Sequence, residues 1–308
     1  MDLALVRETA RDFLSRPRSD ADIAGIGWTG LLVTEDRGGS GWRPVEATVI
    51  GAELGRARAA TAWAGTVVVA AALDRWASTT DRERWLPRLL DGSSHGAVCV
   101  AGHGRIVGVP DVVVVCAPDG LHVVDGALVE TEPDLSAMDL EREVRRLATP
   151  LTVGPVVGGA AASRTVTALL RTLLAADAIG ALSAARERLV EHLRTRVAFD
   201  QPLASFQALQ HRLVDLLVLE LRSQAIISRA AREAAAGDPA FPGTAAAAHA
   251  HVMGQVVQAV DECVQLSGGI GFTWEYPLHR ELRRVLADAV LGGTARASRA
   301  CVAEEGGW

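Results

Sequence analysis

Apolar residues recur every three to four positions along most of this chain, and the recurrence breaks at glycine, proline and short polar runs. That periodicity predicts amphipathic helices separated by turns. The first helix runs to Leu14, a break follows at Gly25 to Gly30, and EDRGGSGW at 35 to 42 is a loop. One helix then extends from Pro44 to about Gly55 and another to about Trp76, and DRERWLPRLLDG closes the region as a short helix ended by Gly92. Between 93 and about 150 the pattern changes to short Val-rich runs, GVPDVVVVCA at 108 to 117 and LHVVDGAL at 121 to 128. Bounded by Pro, Asp and Gly, these read as strands joined by tight turns. Helical periodicity returns from about Ser163, over 163 to 198, 203 to 236, 244 to 267 and 278 to 290. The expectation is a mainly α fold with a small β insert: a helical domain over 1–92, a β domain over 93–162 and a helical bundle over 163–308.

Composition narrows the chemistry. The 308 residues are 49% hydrophobic and 22% charged, enough to bury a core in two or three subdomains. A net charge of −6 argues against a general nucleic-acid binder. All 31 basic residues are Arg, so a Schiff-base lysine, a pyridoxal phosphate attachment and a P-loop lysine are excluded. Cys99, Cys116, Cys263 and Cys301 lack CxxC spacing and sit in apolar contexts, which reads as reduced core thiols. His249 and His251 stand at i and i+2, which point apart on a helix, and no carboxylate lies at metal spacing, so no metal site is expected. The seven Trp residues are spread one per segment, as core anchors are. The N-terminus carries charges throughout and lacks the apolar core of a signal peptide, and no segment reaches 18 uninterrupted apolar residues. A cytoplasmic protein without a membrane span is expected.

The stretch that carries most information is QLSGGIGFTWEYPLHRELRRVLADAVLGGT, residues 265 to 294. It resembles the C-terminal flavin loop of acyl-CoA dehydrogenases, where Gln-x-x-Gly-Gly-x-Gly-Phe is followed by Glu-Tyr-Pro, an Arg and Glu-Gly-Thr. Upstream, GIGWTGLLVTEDRGGSGW, GAELGRA and RWLPRLLDG follow the family in order, and RTRVAFDQPLASFQALQHRLVDL at 194 to 216 resembles its Arg-x-x-Phe-Gly junction, with Asp200 in place of Gly. The resemblance spans nearly the whole chain. It implies an acyl-CoA dehydrogenase-like fold with an N-terminal helical domain, a reduced middle β domain and a C-terminal four-helix bundle. By the same resemblance Arg196, Phe199 and Gln207 reach towards an FAD held mainly by a neighbouring subunit, and Gln265, Gly268 and Gly269 approach the same cofactor. A guanidinium suits the pyrophosphate, because its planar fork pairs with phosphate oxygens, and glycines let backbone come close.

The departures from the family concern the chemistry. Gly292 stands where the family has its catalytic Glu, and Leu170 stands at the second location, 26 residues before the flavin arginine. Neither can take a proton, and proton abstraction needs a carboxylate within hydrogen-bond reach. Asp177 and Asp288 are nearby acids that read as caps or solvated side chains. The own-subunit flavin motif falls on VCVAGHGRIVG at 98 to 108, with Ala101 and Gly102 replacing its Thr and Glu. The β segment is also short for the family. No catalytic residue is therefore assigned. The resemblance is to the shortened, non-catalytic subunit of actinobacterial heteromeric (α2β2) acyl-CoA dehydrogenases, which implies a full-length homologue as partner, a shared FAD and a bulky acyl-CoA substrate such as a steroid side-chain thioester. Two alternatives stay open at this point: a self-sufficient homotetrameric dehydrogenase with a relocated base, and a flavin-free scaffold or regulatory subunit.

Overall fold

The computed structural model describes residues 2–100, 103–149 and 154–306. Five helices form the N-terminal part: α1 Leu3–Phe13, α2 Asp20–Gly25, α3 Pro44–Ala57, α4 Trp63–Trp76 and α5 Thr79–Leu90. Their starts follow local chemistry. Asp2 caps α1 by accepting from the Ala4 amide, Ser19 and Asp22 form a reciprocal capping box on α2, and Pro44 opens α3 with its φ already set. The short strands β1 Leu32–Val33 and β2 Gly41–Trp42 pair antiparallel across the loop read from EDRGGSGW.

The middle segment holds two small sheets. In the first, strands β3 Gly96–Val100, β5 Val112–Cys116, β6 Gly120–Asp125 and β9 Val156–Gly159 lie in the order β3-β5-β6-β9, with β3 and β5 parallel. Every residue of β5 is buried, which is why VVVVC reads as an unbroken apolar run. The second sheet has the order β4-β8-β7, from β4 Arg105–Val107, β7 Thr131–Pro133 and β8 Val144–Leu147.

The axis of the molecule is α6, Ala160–Thr195, 36 residues long. By length and composition it could cross a membrane, with a mean hydropathy of 1.5 in its most apolar window, but 94% of that window is buried inside the protein. Its apolarity serves the core. A Cβ on Gly180 would lie 1.8 Å from the Ala52 carbonyl oxygen, and one on Gly55 would lie 1.9 Å from that of Asp177, so α3 and α6 meet backbone to backbone. That contact locks the N-terminal helices to the bundle. After the hairpin of β10 Val197–Ala198 and β11 Gln201–Pro202 come α7 Gln207–Ala236, α8 Phe241–Met253, α9 Val256–Leu266, α10 Leu278–Asp288 and α11 Ala295–Glu305.

The helical bundle after a small β segment matches the sequence expectation. The stretch 244 to 267 differs: it is two helices, because the chain breaks at Gly254 and Gln255. The terminal helix α11 has no counterpart in the periodicity reading, since its face is mostly small and polar and only Ser298 is buried on it. Trp63 and Trp85 are core residues. Trp274, by contrast, is 73% exposed, edge-on to His279 and near the Arg283 guanidinium, so it anchors nothing internal. Trp308 lies outside the described residues.

Candidate functional site

Gly292 and Leu170, matched to the family's two base positions from separate parts of the sequence, lie against each other. A Cβ on Gly292 would sit 3.5 Å from Leu170 Cδ2 and 3.0 Å from Leu174 Cδ1. Both residues line one cavity, and its lining also takes in Gly96 and Ala97 and, from the segment matched to the own-subunit flavin motif, Val98 and Arg105 to Val107. Ala101 and Gly102 lie outside the described residues. The volume is about 30 Å³, room for one or two water molecules, whereas cofactor and ligand sites occupy roughly 300–1,000 Å³. Arg105 and Arg142 contribute to the lining, and each is held by a carboxylate: Arg105 donates to Asp134, and Arg142 donates to Asp288 at 2.5 Å and to Asp139 at 2.9 Å.

Arg142 belongs to a dry ionic cluster that joins all parts of the fold. Arg284, fully buried on α10, donates to both Asp177 oxygens at 2.8 and 3.0 Å and to the Ala59 carbonyl at 3.1 Å, with Asp139 at 3.4 Å. Asp177 and Asp288 are therefore not caps or solvated side chains. They are 6% and 0% exposed; Asp288 holds Arg142 of the loop 139–142 onto the bundle, and Asp177 fixes Arg284, which in turn donates to the Ala59 carbonyl. Helical spacing placed both acids near the site but could not reveal the arginines that face them from elsewhere in the chain. Two guanidinium groups, Arg142 and Arg284, stand among three carboxylates, so one acid is in excess. Burial pushes the Asp288 carboxyl up to about 8, while the same arginines hold Asp139 down at about 2. Asp288 is thus the member of the cluster that takes up a proton most readily. Alongside, Arg58 pairs with Glu281 and Glu141, and Arg280 and Arg188 complete a second set of contacts. Burial on this scale makes each partner costly to remove.

The candidate cofactor-binding residues occupy the opposite kind of environment. Arg196 ends α6 with its side chain exposed and without an ion pair or hydrogen bond among the described residues. The hairpin that follows turns through Phe199 at φ +53° and Asp200 at φ +61°. Two successive left-handed residues make the tight turn that matches strand twist, and Asp tolerates that region better than most side chains. The turn thrusts Phe199 out to 88% exposure, edge-on to Phe206, and Gln207 opens α7 exposed immediately after. Gln265 is exposed on the last turn of α9. The glycines that follow have different reasons. Gly268 takes φ +69°, and a Cβ on Gly271 would strike the Val264 carbonyl oxygen at 2.3 Å. Gly269 has neither a positive φ nor any atom within 4 Å of its missing Cβ, so nothing inside this chain requires glycine there. The two groups share one end of the bundle: the Tyr276 hydroxyl donates to the Arg188 carbonyl at 2.9 Å and its ring lies 5.6 Å from that of His192, one turn before Arg196.

The two halves of the site answer differently to the flavin implied by the resemblance. The cavity beside Gly292 does not fit it. The exposed end of the bundle does, with an unpaired guanidinium for phosphate, free amide side chains and an open glycine backbone.

His249 and His251 are not brought together. His249 is buried with Nδ1 2.9 Å from the Ser298 hydroxyl, burial lowers it to about 3, and His251 pairs instead with Gln255. Among the described residues no cluster of three or more His, Cys, Asp or Glu is placed to hold a metal ion.

The acyl-CoA dehydrogenase N-terminal domain matches residues 6–93, and the acyl-CoA dehydrogenase C-terminal domain matches residues 158–306. The chain is 30% identical over 270 residues to acyl-CoA dehydrogenase IpdE2 of Mycobacterium tuberculosis, covering 86% of this chain and 79% of that protein. Its fold superposes with a TM-score of 0.83 and 22% identity on the structure described as the Tcur3481-Tcur3483 steroid ACAD G363A variant, over 99% of this chain and 98% of that one. It superposes with a TM-score of 0.81 and 21% identity on the ChsE4-ChsE5 complex from Mycobacterium tuberculosis, over 99% and 96%. With both terminal domains matched and IpdE2 aligned over most of its length, this chain belongs to the acyl-CoA dehydrogenase family.

Proposed function

We propose that this chain is the subunit without a catalytic base in a heteromeric FAD-dependent acyl-CoA dehydrogenase, and that it completes a flavin site in a full-length homologous partner. The observation that carries this reading is the cavity of about 30 Å³ on which Gly292, Leu170 and the segment around Arg105 converge. The family's acid is absent at both of its locations, and the small space beside them is lined by arginines held in ion pairs. Bound FAD supplies the hydride acceptor for α,β-dehydrogenation of an acyl-CoA thioester. In this proposal Arg196 neutralises pyrophosphate charge, Gln207 and Gln265 offer hydrogen bonds, Gly268 and Gly269 admit the cofactor's close approach, and Phe199 packs across the interface. A base for the α-proton comes from the partner.

The likeness to a structure named as a ChsE4-ChsE5 complex and to one named as a steroid ACAD supports a two-subunit assembly acting on a steroid side-chain acyl-CoA. The free, buried Cys99, Cys116 and Cys263 suit a reducing compartment, and we assign the complex to the cytoplasm. The test is coexpression with a full-length homologue that retains the catalytic Glu. A yellow complex with one FAD per two chains is expected, and this chain alone should bind no flavin. A chain that purifies alone as a yellow, active enzyme with one FAD per subunit would overturn the reading in favour of a self-sufficient dehydrogenase. A stable complex in which the partner's flavin content is indifferent to this chain would leave only a scaffold.

A further inference from the structure

A second concavity, of about 400 Å³, lies between α1, α3, α6 and α7, where the N-terminal helices meet the bundle. It shares no lining residue with the cavity beside Gly292. Its volume falls within the range of ligand sites, and junctions between domains are where such sites concentrate. Its floor is apolar, from Val49, Ile179 and Ile227, with the hydroxyls of Ser183 and Ser228 beside it.

The rim is charged and unbalanced. Arg7, Arg11, Arg56, Arg186 and Arg232 line the cleft against Glu53, Glu187 and Glu220, an excess of two positive charges among the described residues. Glu53, 5% exposed at its side chain, takes a bidentate pair from Arg11 at 3.0 Å and lies 3.8 Å from Arg7 and 3.9 Å from Arg56. Arg56 is also engaged by Glu187, and Arg186 donates to Glu220 at 2.7 Å. The carboxylates thus fix the rim while leaving two guanidinium groups uncompensated. Arg7 has only the distant Glu53 contact, and Arg232 has no ion pair among the described residues.

We infer that this cleft binds a phosphate monoester carrying an apolar group, its dianionic head between Arg7 and Arg232 and its apolar part on Ile179, Val49 and Ile227. Arg232, without an ion pair among the described residues, and Arg7, with only the 3.8 Å Glu53 contact, together match a divalent head, guanidinium forks match phosphate oxygens, and the serine hydroxyls add neutral donors. The inference does not depend on the assembly proposed above.

The test is calorimetric titration of the purified, assembled protein with hexyl phosphate, against hexyl sulfate, inorganic phosphate and 1-hexanol. Hexyl phosphate is expected to bind at pH 8 at least roughly tenfold more tightly than each of the others, since a charge-assisted contact is lost in every comparison or the apolar surface is left uncovered. Its affinity is expected to fall below about pH 6, where the phosphate takes up its second proton. Arg232→Ala is expected to weaken it by roughly tenfold or more, and Arg232→Lys to restore part of the loss. Because Arg232 is exposed and unpaired, its replacement leaves the fold intact, which a circular dichroism melt checks. Absence of binding at millimolar hexyl phosphate, equal binding of hexyl sulfate, or binding indifferent to both Arg7→Ala and Arg232→Ala would overturn the inference.

Discussion

Leu170 packs against Gly292, so the two places where this family can carry its acid face each other across van der Waals distance and neither holds one. Gly292 has φ +68°, and any side chain there would also meet Leu174 at 3.0 Å from its Cβ. Gly292→Glu is therefore expected to destabilise the chain by several kcal/mol through left-handed backbone strain, crowding and burial of an acid. Leu170→Glu buries an unpaired acid at a 6% exposed position and is expected to be comparably costly. Neither variant is expected to add a second equivalent of FAD to the complex. Denaturant melts and flavin absorbance measure both effects, and additional bound flavin would refute the claim that this half of the site is closed.

Arg196→Ala removes an exposed, unpaired guanidinium. The melting temperature should stay within experimental error of the parent. Flavin affinity in the assembled complex should fall about tenfold to hundredfold, the loss of one charge-assisted contact of ~1.5–3 kcal/mol. Dialysis followed by absorbance at the flavin maximum reads the change, and undiminished flavin content would make Arg196 a surface residue only.

The acid excess in the core gives a pH dependence. Asp288 is raised from 3.8 to about 8 in the folded chain, so folding takes up a proton. That contribution is complete below about pH 4 and is lost as pH rises towards 8. Asp139, held at about 2, acts in the opposite sense: its contribution is present above about pH 4 and is lost as pH falls towards 2. Asp288→Asn keeps a neutral polar group beside Arg142 and is expected to flatten the decline in thermal stability between pH 5 and pH 9, with the largest gain at the alkaline end. A parallel decline in parent and variant would show that Asp288 is ionised throughout.

Arg284→Leu leaves Asp177 buried with its two principal donors gone. Stability is expected to fall by about 3–5 kcal/mol, because an uncompensated buried charge remains. Adding Asp177→Leu should recover much of the loss, since a matched apolar pair replaces a matched ionic one. Urea melts of the single and double variants measure the coupling, and simple additivity of the two losses would contradict it.

The order of helices, small β segment and helices was legible in the linear pattern, because helix and strand periods differ and Gly and Pro mark the breaks. The breaks after α9 at Gly268 and after α6 near Arg196 were legible as well, since the helical spacing stops there at consecutive residues. The division at Gly254 was not, because both sides of it carry the same apolar spacing. Nor was α11, whose small and polar residues give little periodic signal.

The environment of each acid was beyond any local reading. Asp177 and Asp288 look like ordinary helix carboxylates in sequence, and only the folding of Asp139, Arg142 and Arg284 onto them makes them members of a dry cluster. The sequence by itself determined the family's architecture and that positions 170 and 292 carry Leu and Gly, neither of them an acid. Only the tertiary structure decided that those two positions share one cavity of about 30 Å³, and that Arg105 and Arg142 are part of its lining. The physical reason is that periodicity and turn chemistry act between neighbours in the chain. Cavity volume and charge compensation, by contrast, depend on side chains brought together across sequence separations of more than a hundred residues, such as Arg142 with Asp288.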